Sequence, residues 1–137
     1  MKLNTIYSPS HQEKDVIING LWDHNSRYHP VEIKQFLINF TDEKNTVKGG
    51  VIAQTWWDAL EVQYLWIDDL YRGKGYGKEM MKQAEAVARQ RGCHMAYVDT
   101  FDFQAKGFYE KLGYKEWGAL DGFAGKFRRH YLVKDLN

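Results

Sequence analysis

Between residues 72 and 78 the chain reads Arg-Gly-Lys-Gly-Tyr-Gly-Lys, with Gly73, Gly75 and Gly77 alternating with cationic or aromatic side chains. Glycine lets a backbone pass close to a ligand and turn its N–H groups outward. The pattern that follows predicts a helix starting near Gly75. Its N-terminus would add partial positive charge to the full charges of Arg72, Lys74 and Lys78. A turn of this kind suits a phosphate or pyrophosphate. Spacing excludes two nucleotide motifs. A P-loop needs Ser or Thr after Gly-Lys, and Glu79 follows Lys78 here. A dinucleotide fingerprint needs G-x-G-x-x-G, whereas this turn is G-x-G-x-G. The glycines alone would also describe an unliganded loop at a helix start.

A strand must deliver this turn and a helix must carry it away. Leu60 to Ile67 suits the strand. Met80, Met81, Ala84, Val87 and Ala88 recur at helical spacing, with Lys78, Glu79, Lys82, Glu85 and Arg89 on other faces and Gly92 as the stop. Residues 93–99 then form a strand that a right-handed crossover makes parallel to Leu60–Ile67. Upstream, Ser8 before Pro9 reads as an N-cap and predicts a helix over about residues 9–24. Strands over 32–40, 47–57 and 60–67, turned at Asp42–Asn45 and Asp58–Ala59, make an antiparallel meander. A short helix over about 104–112, ended by Gly113, and strands over 114–119 and 127–132 complete the chain. The order αβββαβαββ is an α+β mixed sheet, expected to form one domain over residues 1–137.

Two segments about thirty residues apart, LWIDDLYRGKGYG and QAKGFYEKLGY, resemble the GNAT (Gcn5-related) N-acetyltransferase superfamily. Arg72, Gly75 and Gly77 match its acetyl-CoA motif. Ala105, Phe108, Tyr109, Lys111, Gly113 and Tyr114 match its Ala-x-x-Phe-Tyr-x-Lys-x-Gly-Phe/Tyr segment. The resemblance is strong over residues 47–117. It implies a cleft where two parallel strands, Leu60–Ile67 and Cys93–Asp99, splay apart around acetyl-CoA. It also implies that the backbone of Leu65, Trp66 and Ile67 bonds the pantetheine arm and the acetyl carbonyl, where an N–H would stabilise an oxyanion. The amides of Gly73, Lys74, Gly75, Tyr76, Gly77 and Lys78 would hold the pyrophosphate. The side chains of Leu65 and Ile67 suit the core equally well.

Tyr109 is, by the same resemblance, the general acid. A phenol of ordinary pKa ~10 can protonate a leaving thiolate at neutral pH without first ionising. The competing role is core packing beside Phe108. An amine acceptor must lose a proton before it attacks, and Glu61 aligns with the catalytic glutamate of the histone acetyltransferase branch. Strand alternation predicts Glu61, Gln63 and Leu65 on one side. A solvated edge charge is the other reading of Glu61, and Asp99 or a water relay are the other bases. Where many family members carry Asn, this chain has Asp102. An ionised Asp102 accepts hydrogen bonds but donates none, and it could serve as N-cap of the next helix.

Composition narrows the partners. The chain has 137 residues, 44% of them apolar, and a formal net charge of +1, so no field points to nucleic acid or to an anionic membrane. One cysteine, Cys93, excludes an internal disulfide and suits a core position. The five histidines show no metal spacing, and no metal is expected. Trp56, Trp57, Trp66 and Trp117 are expected to fill the core or else to line the acceptor cleft, and Lys126, Arg128 and Arg129 to form a solvated basic face or else to contact an acidic substrate. No apolar run approaches a membrane span and the first residues lack signal-peptide form, so a cytoplasmic protein is expected. The resulting expectation is an acetyl-CoA-dependent N-acetyltransferase acting on a small-molecule or peptide amine by direct attack in a ternary complex. Family habit implies a homodimer. A non-catalytic acyl-CoA binding or sensing module is the rival reading, and a structural nucleotide-binding subunit the third. Both would keep the glycine turn without needing an acid or a base.

Overall fold

The computed structural model describes residues 1–137, which divide into two units, 1–32 and 33–137. The first unit carries helix α1, His11–Asn25. Its cap is Ser10, not Ser8. The Ser10 hydroxyl accepts from the Glu13 N–H at 3.1 Å, and Glu13 accepts from the Ser10 N–H at 3.0 Å. This reciprocal pair satisfies two otherwise orphaned donors, which Ser8, with His11 and not a glutamate three residues on, could not do.

The second unit begins with the expected meander: β1 Lys34–Thr41, β2 Val47–Trp56 and β3 Ala59–Ile67. Asp42 closes the first turn by accepting from the N–H groups of Lys44 and Thr46 at 2.8 and 2.9 Å. The second turn is Trp57–Asp58, one residue earlier than expected. Both residues have positive φ, 47° and 60°, as a two-residue hairpin loop matched to strand twist requires. Helix α2, Tyr76–Gln90, buries Met80, Met81, Ala84 and Ala88. It stops where Gly92 turns left-handed (φ 83°) and the N–H groups of Gly92 and Cys93 bond the carbonyls of Arg89 and Ala88. Strand β4 is Met95–Phe101, two residues later than expected, because this cap consumes Gly92 and Cys93. Helix α3 (Lys106–Lys111) and strands β5 (Lys115–Phe123) and β6 (Phe127–Asp135) follow.

The strand order is β1-β2-β3-β4-β6-β5, with β3 and β4 the parallel pair. One face of the sheet, Val51, Ala53, Leu60, Val62, Ala96, Val98 and Leu132, meets α2, Tyr109 and Tyr114 in a continuous core that includes Cys93. No helix is long and apolar enough to cross a membrane.

A buried ionic knot fastens α2 to β6. Glu85 is 4% exposed, accepts from Lys134 Nζ at 2.7 Å and from the Tyr114 hydroxyl at 2.9 Å, and has Arg89 3.8 Å away. Burial, then the Glu85 carboxylate, push the Tyr114 phenol up from its ordinary pKa. Removing one partner from a buried charge costs more than the bond itself contributes, because the remaining charge stays desolvated. Lys134→Met should therefore lower stability by roughly 1–3 kcal/mol in denaturant unfolding. The double change Lys134→Met with Glu85→Leu should recover part of that loss, and a double variant worse than the sum of the singles would overturn this account.

Candidate functional site

The pairing of β3 with β4 lasts for three registers, Ala59↔Met95, Leu60↔Ala96 and Glu61↔Tyr97. Beyond them β3 stays with β2 as far as Gly49↔Ile67, and β4 stays with β6 as far as Phe101↔Arg129. The two strands therefore part, each held on its outer edge only. Between them lies a cavity of about 510 Å³ with Glu61, Tyr97, Asp99, Tyr109 and Arg129 on its walls. It shares Leu65, Trp66, Gln104 and Ala105 with a second cavity, of about 500 Å³, that runs toward Arg72 and Phe108.

A β-bulge sets what each side of this cleft carries. The register steps from Ala53↔Val62 to Ile52↔Tyr64, leaving Gln63 as the extra residue. Simple alternation, which groups Glu61 with Leu65, fails at this point. Leu65 and Ile67 lie opposite core-facing Val51 and Gly49 and pack on the helix-side core, while Tyr64 and Trp66 turn to the face of Glu61. Core packing, one of the two expectations for the tryptophans, fails for Trp66 and Trp117, which are 51% and 69% exposed, whereas the other, lining the cleft, holds for Trp66.

The glycine turn divides its labour. Gly73 and Gly75 have φ of 74° and 88° with open space where a Cβ would stand, so they supply the left-handed backbone. Gly77 instead lets α2 close on its neighbours. A Cβ there would lie 3.0 Å from the Ile67 side chain and 3.2 Å from the Phe108 ring. Gly75 is the N-cap of α2 and makes no side-chain cap bond. None of the N–H groups of residues 73–78 finds a partner within the chain, the helix's first internal bond running from Glu79 N–H to the Gly75 carbonyl. That row of open donors, with Lys74 and Lys78 beside it, fits a pyrophosphate. Arg72 is partly committed already: its Nε bonds the Ile67 carbonyl at 3.0 Å and lies 3.3 Å from Asp69, closing the turn against the end of β3. Phe40 stacks on Tyr76 with ring centroids 4.3 Å apart, and Tyr71 meets both rings edge-on.

Tyr109, on α3, is 4% exposed and edge-on to Phe108 and Tyr114. Burial first, and Asp99 second, push its phenol up to about 12. It is therefore fully protonated at neutral pH, with its ring in the core and a place on the cavity wall. Glu61 lies on the opposite strand, and Gln54 Nε2 donates to its carboxylate at 2.7 Å. Asp99, the alternative base, is engaged: Arg129 donates to it from Nε at 3.0 Å, with Nη2 2.8 Å from the same oxygen. Arg129 in turn lies over the rings of Phe101, Phe123 and Tyr131. The expected solvated basic face holds for Lys126 and Arg128, whose pair with Asp121 is itself exposed, while Arg129 leaves it to pair with Asp99 in the cleft. Asp102 is not a helix cap. It pairs with the Arg128 backbone, and Ala105 occupies the N-cap position of α3.

Sequence reading missed Gln54, Tyr97 and Arg129. The outward alternation of Gln54 among Val51, Ala53 and Thr55 was the available signal for the first. The other two depend on strand register across the sheet, which no local pattern carries.

Comparison with known proteins agrees with this geometry. The family model "Acetyltransferase (GNAT) family" matches residues 3–114. A blasticidin-S acetyltransferase of Streptomyces morookaense is 38% identical over 95 residues, 69% of this chain and 70% of its own length. An acetyltransferase of Agrobacterium fabrum is 33% identical over 95 residues, 69% of each. The crystal structure of an acetyltransferase from Bacillus cereus superposes with a TM-score of 0.84 at 26% identity, covering 96% of this chain and 97% of that one. A parted parallel strand pair, a glycine turn of unbonded amides at a helix start and a family match over most of the length lead to one assignment: the chain belongs to the GNAT acetyltransferase family.

Proposed function

We propose that this acetyl-CoA-dependent N-acetyltransferase works through Glu61 as general base and Tyr109 as proton donor, on a small-molecule amine acceptor. The observation that carries the reading is the presence of these two groups on the walls of one cavity, between strands whose inner edges part beyond Glu61. Acetyl-CoA, as the donor substrate, supplies the activated acetyl group. The amides of residues 73–78 hold its pyrophosphate, and the open β3 edge at Leu65, Trp66 and Ile67 bonds the pantetheine arm and the carbonyl oxygen. Glu61 takes the proton of the incoming ammonium, freeing the nitrogen lone pair to form the new C–N bond. A β3 N–H steadies the negative charge that gathers on the carbonyl oxygen. As the C–S bond breaks, Tyr109 donates to the sulfur. A phenol held at about 12 is a weaker acid than a thiol of ordinary pKa near ~8.5, so it acts through a hydrogen bond to the developing thiolate. CoA leaves as the thiol by receiving through this hydroxyl the second proton that the nitrogen loses as the amide forms.

The acceptor reading rests on charge and on kinship. Arg129 neutralises Asp99, which leaves Glu61 as the uncompensated carboxylate of the cavity and favours a cationic amine. Similarity to a blasticidin-S acetyltransferase makes that antibiotic the first acceptor to assay, ahead of polyamines, aminoglycosides and peptide amines. Under this reading residues 1–137 act as one acetyltransferase domain in the cytoplasm, as a homodimer.

Three measurements test these roles. Gly75→Val places a β-branched side chain at φ 88°, amid the open amides, and should weaken CoA binding at least tenfold in calorimetric titration. Unchanged affinity would remove the pyrophosphate from this turn. Tyr109→Phe keeps the ring packed and should lower turnover on the order of a hundredfold with little change in acetyl-CoA affinity. With a thioester of low thiol pKa most of the rate should return. Equal loss with both donors would make the hydroxyl a positioning group. Glu61→Gln should cost 10²- to 10⁴-fold in turnover and abolish the acidic limb of the pH–rate profile. A profile identical to wild type would move the base elsewhere.

A further inference from the structure

Glu61 does not stand alone on its face of the sheet. Gln54 is its register partner on β2 and Tyr97 its register partner on β4, so three polar side chains lie in one row across adjacent strands. The bonds along this row run in a consistent direction. Gln35 Nε2 donates to Gln54 Oε1 at 3.4 Å, and Gln54 Nε2 donates to Glu61 Oε2 at 2.7 Å. From the other side the Trp56 indole N–H donates to the Tyr97 hydroxyl at 3.0 Å. An indole is donor only, so the phenol accepts from Trp56 and keeps its own proton to give. Its register neighbour on β3 is Glu61, on the same face of the sheet. In keeping with this, burial foremost and also the Glu61 charge raise the Tyr97 phenol above its ordinary pKa, while the bond from Trp56 acts against the rise.

From this row we infer that Tyr97, held by Trp56, and Gln54 are positioning residues for the proposed base: together they fix the Glu61 carboxylate from both sides and aim it into the cleft. The inference rests on Glu61 being the base. A carboxylate on two rotatable methylenes samples several rotamers, and only some point at the acceptor nitrogen. The Gln54 bond on one side, with the Tyr97 phenol pinned by Trp56 at the register position on the other, selects one. Neither donor needs to touch acetyl-CoA, whose phosphate turn and pantetheine edge lie further along β3 and at α2. Neither need exchange a proton during the reaction.

Removing the Tyr97 hydroxyl should therefore act through Glu61 and nowhere else, which a double-mutant cycle reads directly. The assay follows CoA release from acetyl-CoA with the amine that turns over fastest in the acceptor screen, or with water alone if none does. Tyr97→Phe should lower kcat about tenfold with the KM for acetyl-CoA unchanged, and Gln54→Leu should do likewise. In a Glu61→Gln background, Tyr97→Phe should cost less than twofold. If Tyr97→Phe costs as much in that background as in wild type, Tyr97 acts by packing or by touching the acceptor, and the inference falls while the role of Glu61 stands. If Glu61→Gln leaves the rate intact, both fall. Should Tyr97→Phe prove unfolded by circular dichroism, the Gln54→Leu and Glu61→Gln cycle decides by the same criterion.

Discussion

The parting of β3 and β4 is the constraint on which the rest of this molecule depends. Two parallel strands that stayed paired would bury their inner backbone groups in the sheet and leave no cleft. Here each strand is held along its outer edge for its full length, β3 by β2 and β4 by β6, so opening the inner edges costs little cooperativity. The Gln63 bulge adds the twist that carries β3 away. The same extra residue turns Leu65 and Ile67 into the core, so that the stretch offering backbone to a ligand is anchored by its side chains. A backbone used as a binding surface must be rigid, and burying alternate side chains is how a strand edge gains that rigidity.

Close packing at the other end of the cleft serves the same purpose. Gly77 lets the first turn of α2 come within contact of Ile67 and Phe108, which joins the end of β3, the start of α2 and α3. Phe40 and Tyr76 stack beneath, tying the turn to β1. The unbonded amides of residues 73–78 are therefore held open by their surroundings, and a ligand finds them already oriented. Phe108 and Tyr109 are adjacent on α3, one closing on the glycine turn and the other on the cavity wall, so a single short helix holds the glycine turn and the cavity in fixed register.

Much of this was legible from the residues. Element order follows from local patterns, and the alternating glycines place the tight left-handed turn between β3 and α2 without a fold. The matched segment around Phe108 and Tyr109 likewise leads to the right helix. What could not be read was anything decided between strands. The bulge is invisible because Gln63 and Tyr64 both suit an exposed strand position. Arg129 reads as one of three surface cations until register sets it beside Asp99. Asp102 has the composition of a cap, yet Gln104 claims that corner: its Oε1 accepts from the Phe101 N–H at 2.7 Å and lies 3.3 Å from the Thr100 hydroxyl. Local propensity names candidates, and long-range pairing chooses among them.

The cleft also shows why the two carboxylates on its walls are not equivalent. Asp99 is satisfied by an arginine that is itself wedged among three aromatic rings, so its charge is spent on holding β4 to β6 and on raising the Tyr109 phenol. Glu61 has neutral partners only, an amide that donates to one oxygen and a phenol at the neighbouring register position, which can orient a carboxylate without cancelling its charge. A base that must attract an ammonium and then accept its proton needs that residual charge. An arginine in the place of Gln54 would bind Glu61 more tightly and leave it less able to do either. The difference between a charge that fastens strands and a charge that can take a proton lies here in the partners, and the register of the sheet assigns them.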